Sequence, residues 1–311
     1  MLSRVAQNLY WMARYVERAE DTARLISVNT HLLLDLPRTT AFGWEQLINI
    51  TGSNALFLEL FGQADEASVV GFLIGDLRNP GSLLCSLTCA RENLRTTRDV
   101  VPREVWEEVN QVFLFVRDNL ANGVSRRGRD HFLKTVIRGC QTVTGVLAGT
   151  LSHTQARTFI LLGRYLERAD MTSRIVDVRS ANLLPRNPEE LTPFEHIQWM
   201  SVLKSLTAYQ MYRQQVRVRV RGPDVLRFLL QDRLFPRAVR HCLDAIAIQL
   251  ASLPRAERTL AEVEGVRSQA GGADVQQLAA SPDELHQFID DLQIGFNGIH
   301  AAIHSTYFLQ A

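Results

Sequence analysis

A twelve-residue charged segment occurs twice in this chain. Ala13-Arg14-Tyr15-Val16-Glu17-Arg18-Ala19-Glu20-Asp21-Thr22-Ala23-Arg24 returns 150 positions later as Gly163-Arg164-Tyr165-Leu166-Glu167-Arg168-Ala169-Asp170-Met171-Thr172-Ser173-Arg174. Arg, Tyr, Glu, Arg, Ala, Thr and Arg keep their places. Further matches follow in the same order. Trp44 with Leu47-Ile48 corresponds to Trp199 with Val202-Leu203. Phe72-Leu73-Ile74-Gly75-Asp76, followed by Pro80, corresponds to Phe228-Leu229-Leu230-Gln231-Asp232, followed by Pro236. Co-linear matches at a nearly constant offset predict an internal duplication, with one half over 1–150 and the other over 151–311, forming one compact domain.

Nearly every segment has helical periodicity. The pattern predicts an all-α protein of about twelve helices, near 4–34, 43–61, 65–77, 81–99, 103–121, 130–150, 153–183, 193–215, 224–233, 237–252, 257–269 and 283–308. They would form two six-helix halves related by a pseudo-two-fold axis, with the long first and seventh helices packed at the centre. Thr192-Pro193-Phe194-Glu195, Ser281-Pro282-Asp283-Glu284 and the weaker Ser152-His153-Thr154-Gln155 read as capping boxes. Asn79-Pro80-Gly81, Asn122-Gly123 and Gly271-Gly272 carry turn chemistry. Val216-Arg217-Val218-Arg219-Val220-Arg221 alternates like a strand but has no partner, and is read as a helix end or an exposed arm.

A hydrophobic fraction of 46% is enough for a core, and 34 Lys+Arg against 33 Asp+Glu gives a net charge of +1. That balance offers no broad field for nucleic acid or an anionic membrane. Only Lys134 and Lys204 are lysines, so the positive charge is arginine, the better bidentate partner for carboxylate and phosphate. Cys85, Cys89, Cys140 and Cys242 are too few for a disulfide framework. Arg4, Arg14 and Glu17 interrupt the stretch where a secretory leader would be apolar. No apolar run reaches the roughly 20 residues that span a bilayer. A cytoplasmic protein without a cofactor is the expectation.

Projected on a helix, Met12, Tyr15, Ala19, Thr22, Ala23 and Ile26 share one face, and Arg14, Glu17, Asp21 and Arg24 lie opposite with Arg18 beside them. Tyr10 and Leu25 intrude on that charged face, as Ile160 and Ile175 intrude on the face of Arg164 and Glu167. A helix apolar nearly all round is a buried one, so Arg14, Glu17, Arg18, Arg164, Glu167 and Arg168 are expected to be partly buried and therefore paired. One-turn spacing allows each Glu to be clamped by Arg of its own helix, with the other helix supplying another. Two readings stay open: a structural ion-pair network, or a site whose surplus arginines, with Arg24 and Arg174, receive a carboxylate or phosphate. A second candidate is the stripe Arg91, Glu92, Asn93, Arg95 and Arg98, which the second half lacks and which reads equally as a solvated basic face. His300 and His304 lack the glutamate of a zinc-protease helix, so no metal site is expected. There is no Gly-rich phosphate loop and no GxSxG, and no Cys–His pair sits in a recognisable catalytic context.

Leu9-Tyr10-Trp11-Met12-Ala13-Arg14-Tyr15-Val16-Glu17-Arg18-Ala19-Glu20, its second copy, and Ala90-Arg91-Glu92-Asn93-Leu94-Arg95 with Trp106 and Asn110 resemble the bacterial Alpha-E domain family over essentially the whole chain. The resemblance implies an all-helical protein associated with circularly permuted ATP-grasp enzymes, often with a transglutaminase-like protein nearby. It thereby implies a part in an amide- or peptide-ligating system and supplies no known catalytic residue. Pro236-Arg237-Ala238 departs from the family's usual Pro-Arg-Ser. The expected function is a non-catalytic partner or substrate-binding subunit that holds an anionic small molecule or peptide. The alternatives are an enzyme with Glu17 or Glu167 as general base, or a dimerisation scaffold. Monomer and homodimer are both compatible with the sequence.

Overall fold

A computed structural model describes residues 1–35, 43–177, 188–216 and 219–309, with side chains at 32–35 and 188–195 left aside. The described residues form sixteen α-helices and no strand. In the first half these are α1 (Ser3–Asp35), α2 (Glu45–Ile50), α3 (Asn54–Phe61), α4 (Glu66–Ile74), α5 (Leu83–Arg95), α6 (Arg103–Asp118), α7 (Leu120–Val124) and α8 (Arg126–Thr150). The second half has α9 (Gln155–Asp177), α10 (Pro188–Ser205), α11 (Tyr209–Gln215), α12 (Gly222–Leu226), α13 (Val239–Ala251), α14 (Glu257–Gly271), α15 (Val275–Ala280) and α16 (Pro282–Ile303). Short π-helical turns, Arg227–Gln231 and His304–Phe308, extend α12 and α16.

The count exceeds twelve because several periodic segments break. The predicted helix 43–61 stops at Gly52, whose φ of +66° lies in the left-handed region. The segment 193–215 breaks near Thr207, also at positive φ (53°). Ser281 caps α16 as expected, accepting a bond from the Glu284 amide at 3.4 Å. The other two boxes fall differently. α9 begins at Gln155, one residue past Thr154, and α10 begins at Pro188, upstream of Thr192. The side chains of 192–195, residues 178–183 of the seventh predicted helix and positions 217–218 of the strand-like run lie outside the described residues.

α1 is 33 residues long, about 50 Å at 1.5 Å per residue. It packs along α9, and this pair forms the middle of the molecule. α5 and α8 cover α1, while α13 and α16 cover α9. The backbones meet where a Cβ on Gly163 would stand 2.2 Å from the Tyr10 carbonyl oxygen. Only a residue without a side chain fits that crossing. Enclosure on all sides explains why both helices are apolar on nearly every face.

Candidate functional site

The charged motifs of α1 and α9 face each other across the crossing. Glu17 and Glu167 are 2% and 1% exposed, so each needs a cation. The supply comes from the opposite helix, not from a neighbour one turn away. Arg18 Nε donates to Glu167 Oε1 at 2.5 Å, and Arg14 Nε donates to Glu167 Oε2 at 2.6 Å. Reciprocally, Arg168 donates Nε to Glu17 Oε1 at 2.6 Å and Nη2 to Glu17 Oε2 at 2.9 Å. Burial pushes both glutamates toward the neutral form. The arginines outweigh it: Arg168 and then Arg237 for Glu17, Arg18 and then Arg14 for Glu167. Both carboxyls are held down at about 2.

The expected surplus of arginine over two glutamates is smaller than the sequence suggested, because three further acids belong to the network. Arg24 pairs with Glu20 at 2.7 Å and Arg174 with Asp170 at 3.0 Å, each one turn along its own helix. Arg237, which carries no site signal in the sequence, reaches the acids of α1. Its Nη1 lies 2.7 Å from Asp21 Oδ1 and 3.0 Å from Glu17 Oε1, and its Nη2 lies 2.9 Å from Glu20 Oε1. Asp21 is buried, and its Oδ2 has no hydrogen-bond partner. Burial raises its carboxyl to about 7, against the pull of Arg237 and with the help of Glu17 and Glu20.

Arg164 matches Arg14 in sequence but takes no such role, because Arg237 already occupies the second cationic position on Glu17. Arg164 lies over the Tyr165 ring at 5.2 Å, and its buried Nε has no acceptor. The central assembly thus holds seven guanidinium groups (14, 18, 24, 164, 168, 174, 237) against five carboxyls (17, 20, 21, 167, 170), with Asp21 only partly ionised near neutrality.

One side of the assembly opens into a cavity of about 240 Å³, lined by Arg18, Glu167, Asp170, Arg174, Gly52 and the Asn79-Pro80-Gly81 turn. The turn is rigid. Asn79 is buried, donates to the Phe72 carbonyl at 3.2 Å and accepts from the Gly81 amide at 2.9 Å. Ser82 then caps α5 by accepting from the Cys85 amide at 3.1 Å. The turn therefore sets the start of α5, with its partial positive charge, beside the cavity. In the co-linear alignment Pro80 corresponds to Pro236, so Gly81 corresponds to Arg237. Arg237 supplies a guanidinium to the acids of α1, whereas at the acids of α9 the corresponding residue has no side chain and the cavity lies there instead.

The second candidate cluster is separate. Arg91 Nε donates to Asn110 Oδ1 at 2.7 Å and packs over Trp106 and Phe113. Glu92 pairs with Arg91 and Arg95, and Arg98 lies over Trp106. Asn93 is part-buried, and its carbonyl accepts from the Thr96 and Thr97 hydroxyls. This is a surface face that satisfies itself. His300 sits against Tyr10, Nδ1 to hydroxyl 2.9 Å, and burial and then Arg14 depress its pKa to about 4. Among the described residues no three His, Cys, Asp or Glu gather as a metal site.

The model of Alpha-E, described as a predicted alpha-helical domain with a conserved ER motif, matches residues 1–308. The chain belongs to the Alpha-E family. Uncharacterized proteins of Mycobacterium bovis and Mycobacterium tuberculosis are 22% identical to it over 96% of its length. The chain spans only 35% of those relatives. No solved structure matches it significantly. Glu-Arg occurs in this chain at Glu17-Arg18, Glu167-Arg168 and Glu257-Arg258, and the first two are the pairs that meet across the α1–α9 crossing. No helix among the described residues is long and apolar enough to cross a membrane.

Proposed function

We propose that this Alpha-E chain is a non-catalytic, cytoplasmic binding subunit of an amide- or peptide-ligating system, working with a circularly permuted ATP-grasp protein and in some settings a transglutaminase-like protein. Its cavity beside Arg18 and Arg174 receives a carboxylate or phosphate of the substrate. One observation carries the reading: the cavity opens beside Arg18 and Arg174, whose partners Glu167 and Asp170 also line it, and beside the start of α5. Guanidinium groups and a helix start both favour an anion. The side chains are 23% and 26% exposed at Arg18 and Arg174, so a ligand can reach them. The duplicated sequence supports the same reading. One ancestral helix pair, copied and crossed, gives the reciprocal Arg–Glu pairing, and the cavity marks the place where the copies diverged at Gly81 and Arg237.

The enzyme alternative is disfavoured physically. A general base works best with a pKa near the working pH, and Glu17 and Glu167 are held at about 2. Asp21 has the right pKa but is buried against Arg237 and lies away from the cavity lining.

The test is titration of the purified protein with acetate and inorganic phosphate, followed by calorimetry, on wild type, Arg174→Met and Gly81→Arg. Saturable binding that Arg174→Met abolishes, with its melting temperature little changed, is the expected result. Binding is also lost in Gly81→Arg, which places a guanidinium in the cavity. No saturable binding of either anion to wild type overturns the site. A pull-down with the neighbouring ATP-grasp protein, with and without ATP and substrate acid, tests the partnership separately. Failure to form a complex or raise ligation under any of these conditions overturns it.

A further inference from the structure

Three buried amide side chains from different helices converge near the start of α2: Asn29 of α1, Gln46 of α2 and Gln198 of α10, which are 6%, 4% and 6% exposed. Each has an amide atom without a partner: Asn29 Nδ2, Gln46 Nε2 and Gln198 Oε1. All three residues line one small cavity of about 30 Å³, walled by Leu25, Leu47 and Ile175. Ser201 and Ser205 of α10 also line it. Buried polar groups are ordinarily hydrogen-bonded, so the two unpartnered amide donors and one acceptor define what fits there. The guest accepts twice and donates once, which a carbonyl oxygen and an adjacent N–H do together.

This pocket is not isolated. Gln46 and Ile50 also line a larger hollow of about 440 Å³, and that hollow shares Gly52 and Arg174 with the anion cavity. The large hollow thus adjoins the small pocket at Gln46 and Ile50 and the anion cavity at Gly52 and Arg174. From Gln46 to Ile50, within α2, the helical rise is about 6 Å, the length of roughly two extended residues. We propose that the three spaces form one groove for a short peptide acid, its carboxylate between Arg18 and Arg174 and a backbone amide bound by Asn29, Gln46 and Gln198. This rests on the anion site of the proposed function and adds the substrate class: an acid that already contains at least one amide bond.

The test uses acetate and triglycine as probes, titrated calorimetrically into wild type, Asn29→Leu and Gln198→Met. Both substitutions keep side-chain bulk and remove one amide. Wild type is expected to bind triglycine about tenfold or more tighter than acetate, as a matched pair of buried hydrogen bonds implies. Each substitution brings triglycine down to the acetate level and leaves acetate binding unchanged. Equal affinities of the two probes for wild type overturn the amide pocket while leaving the anion site standing. A triglycine advantage that survives in both variants means that the amides hold only a structural water, and also overturns it. If neither probe binds wild type, the anion site itself fails and this inference with it.

Discussion

Asp21 differs from the other acids of the central network in the direction of its titration. Its carboxyl moves from 3.8 up to about 7, whereas Glu17 and Glu167 move from 4.5 down to about 2. A raised pKa means that the folded chain holds the proton more tightly than the unfolded chain does. The Asp21 contribution is full below 3.8 and is lost as pH rises to 7. The glutamates contribute fully above 4.5 and lose that contribution as pH falls toward 2. His300, depressed from 6.5 to about 4, adds stability as pH rises over part of the same range, so the Asp21 contribution is read as a difference. In urea melts between about pH 5 and 8, wild type should lose stability relative to Asp21→Asn as pH rises. A variant with the same slope as wild type would remove Asp21 from this role. Among the arginines, burial decides the cost of loss. Arg168→Ala leaves Glu17 buried with one cation fewer and should cost about 3–5 kcal/mol. Arg95→Ala breaks an exposed pair and should cost within about 1 kcal/mol. The central pairs were partly legible from the apolar residues that intrude on the charged faces. Arg237 was not: no local signal tells an arginine in a turn that it will end among acids more than 200 positions away.

Individual helices were read from two kinds of signal that differ in reach. Period 3.6 found the long elements, because α1 and α9 bury nearly every face and their apolar residues keep helical spacing for many turns. Breaks inside periodic runs were harder. Gly52 interrupts α2 and α3 through one positive-φ residue in a sequence that otherwise continues, and periodicity does not register a single backbone torsion. Caps were legible where the side chain is used. Ser281→Ala should destabilise by about 0.5–2 kcal/mol through loss of its bond to the α16 amide, measurable as a lower midpoint in a chemical melt. The α1–α9 crossing gives a sharper expectation. Gly163→Ala brings a methyl group onto the Tyr10 carbonyl, which is backbone and cannot step aside. The two helices must separate, and the melting temperature should fall far more than for Gly145→Ala in α8, where a Cβ meets nothing within 4 Å. Equal melts for the two variants would show that the close approach is not maintained.

At the scale of the molecule, the α1–α9 crossing determines how the two halves depend on each other. Glu17 is neutralised by Arg168 and Arg237, and Glu167 by Arg14 and Arg18, so each half carries the counter-charges of the other. The all-helical class was evident from the chain itself. The candidate cavity was not, since its lining comes from α1, α9 and the turns at Gly52 and Asn79–Gly81, which lie far apart in the chain. A polypeptide severed in the short link between α8 and α9 would leave Glu17 and Glu167 without the guanidinium groups that hold them across the crossing. Produced separately, fragments 1–151 and 152–311 should each remain poorly structured and gain helicity only on mixing. The crossed pairs thus act as a mutual lock, and any lineage that dropped one half would have had to re-create its missing cations by self-association.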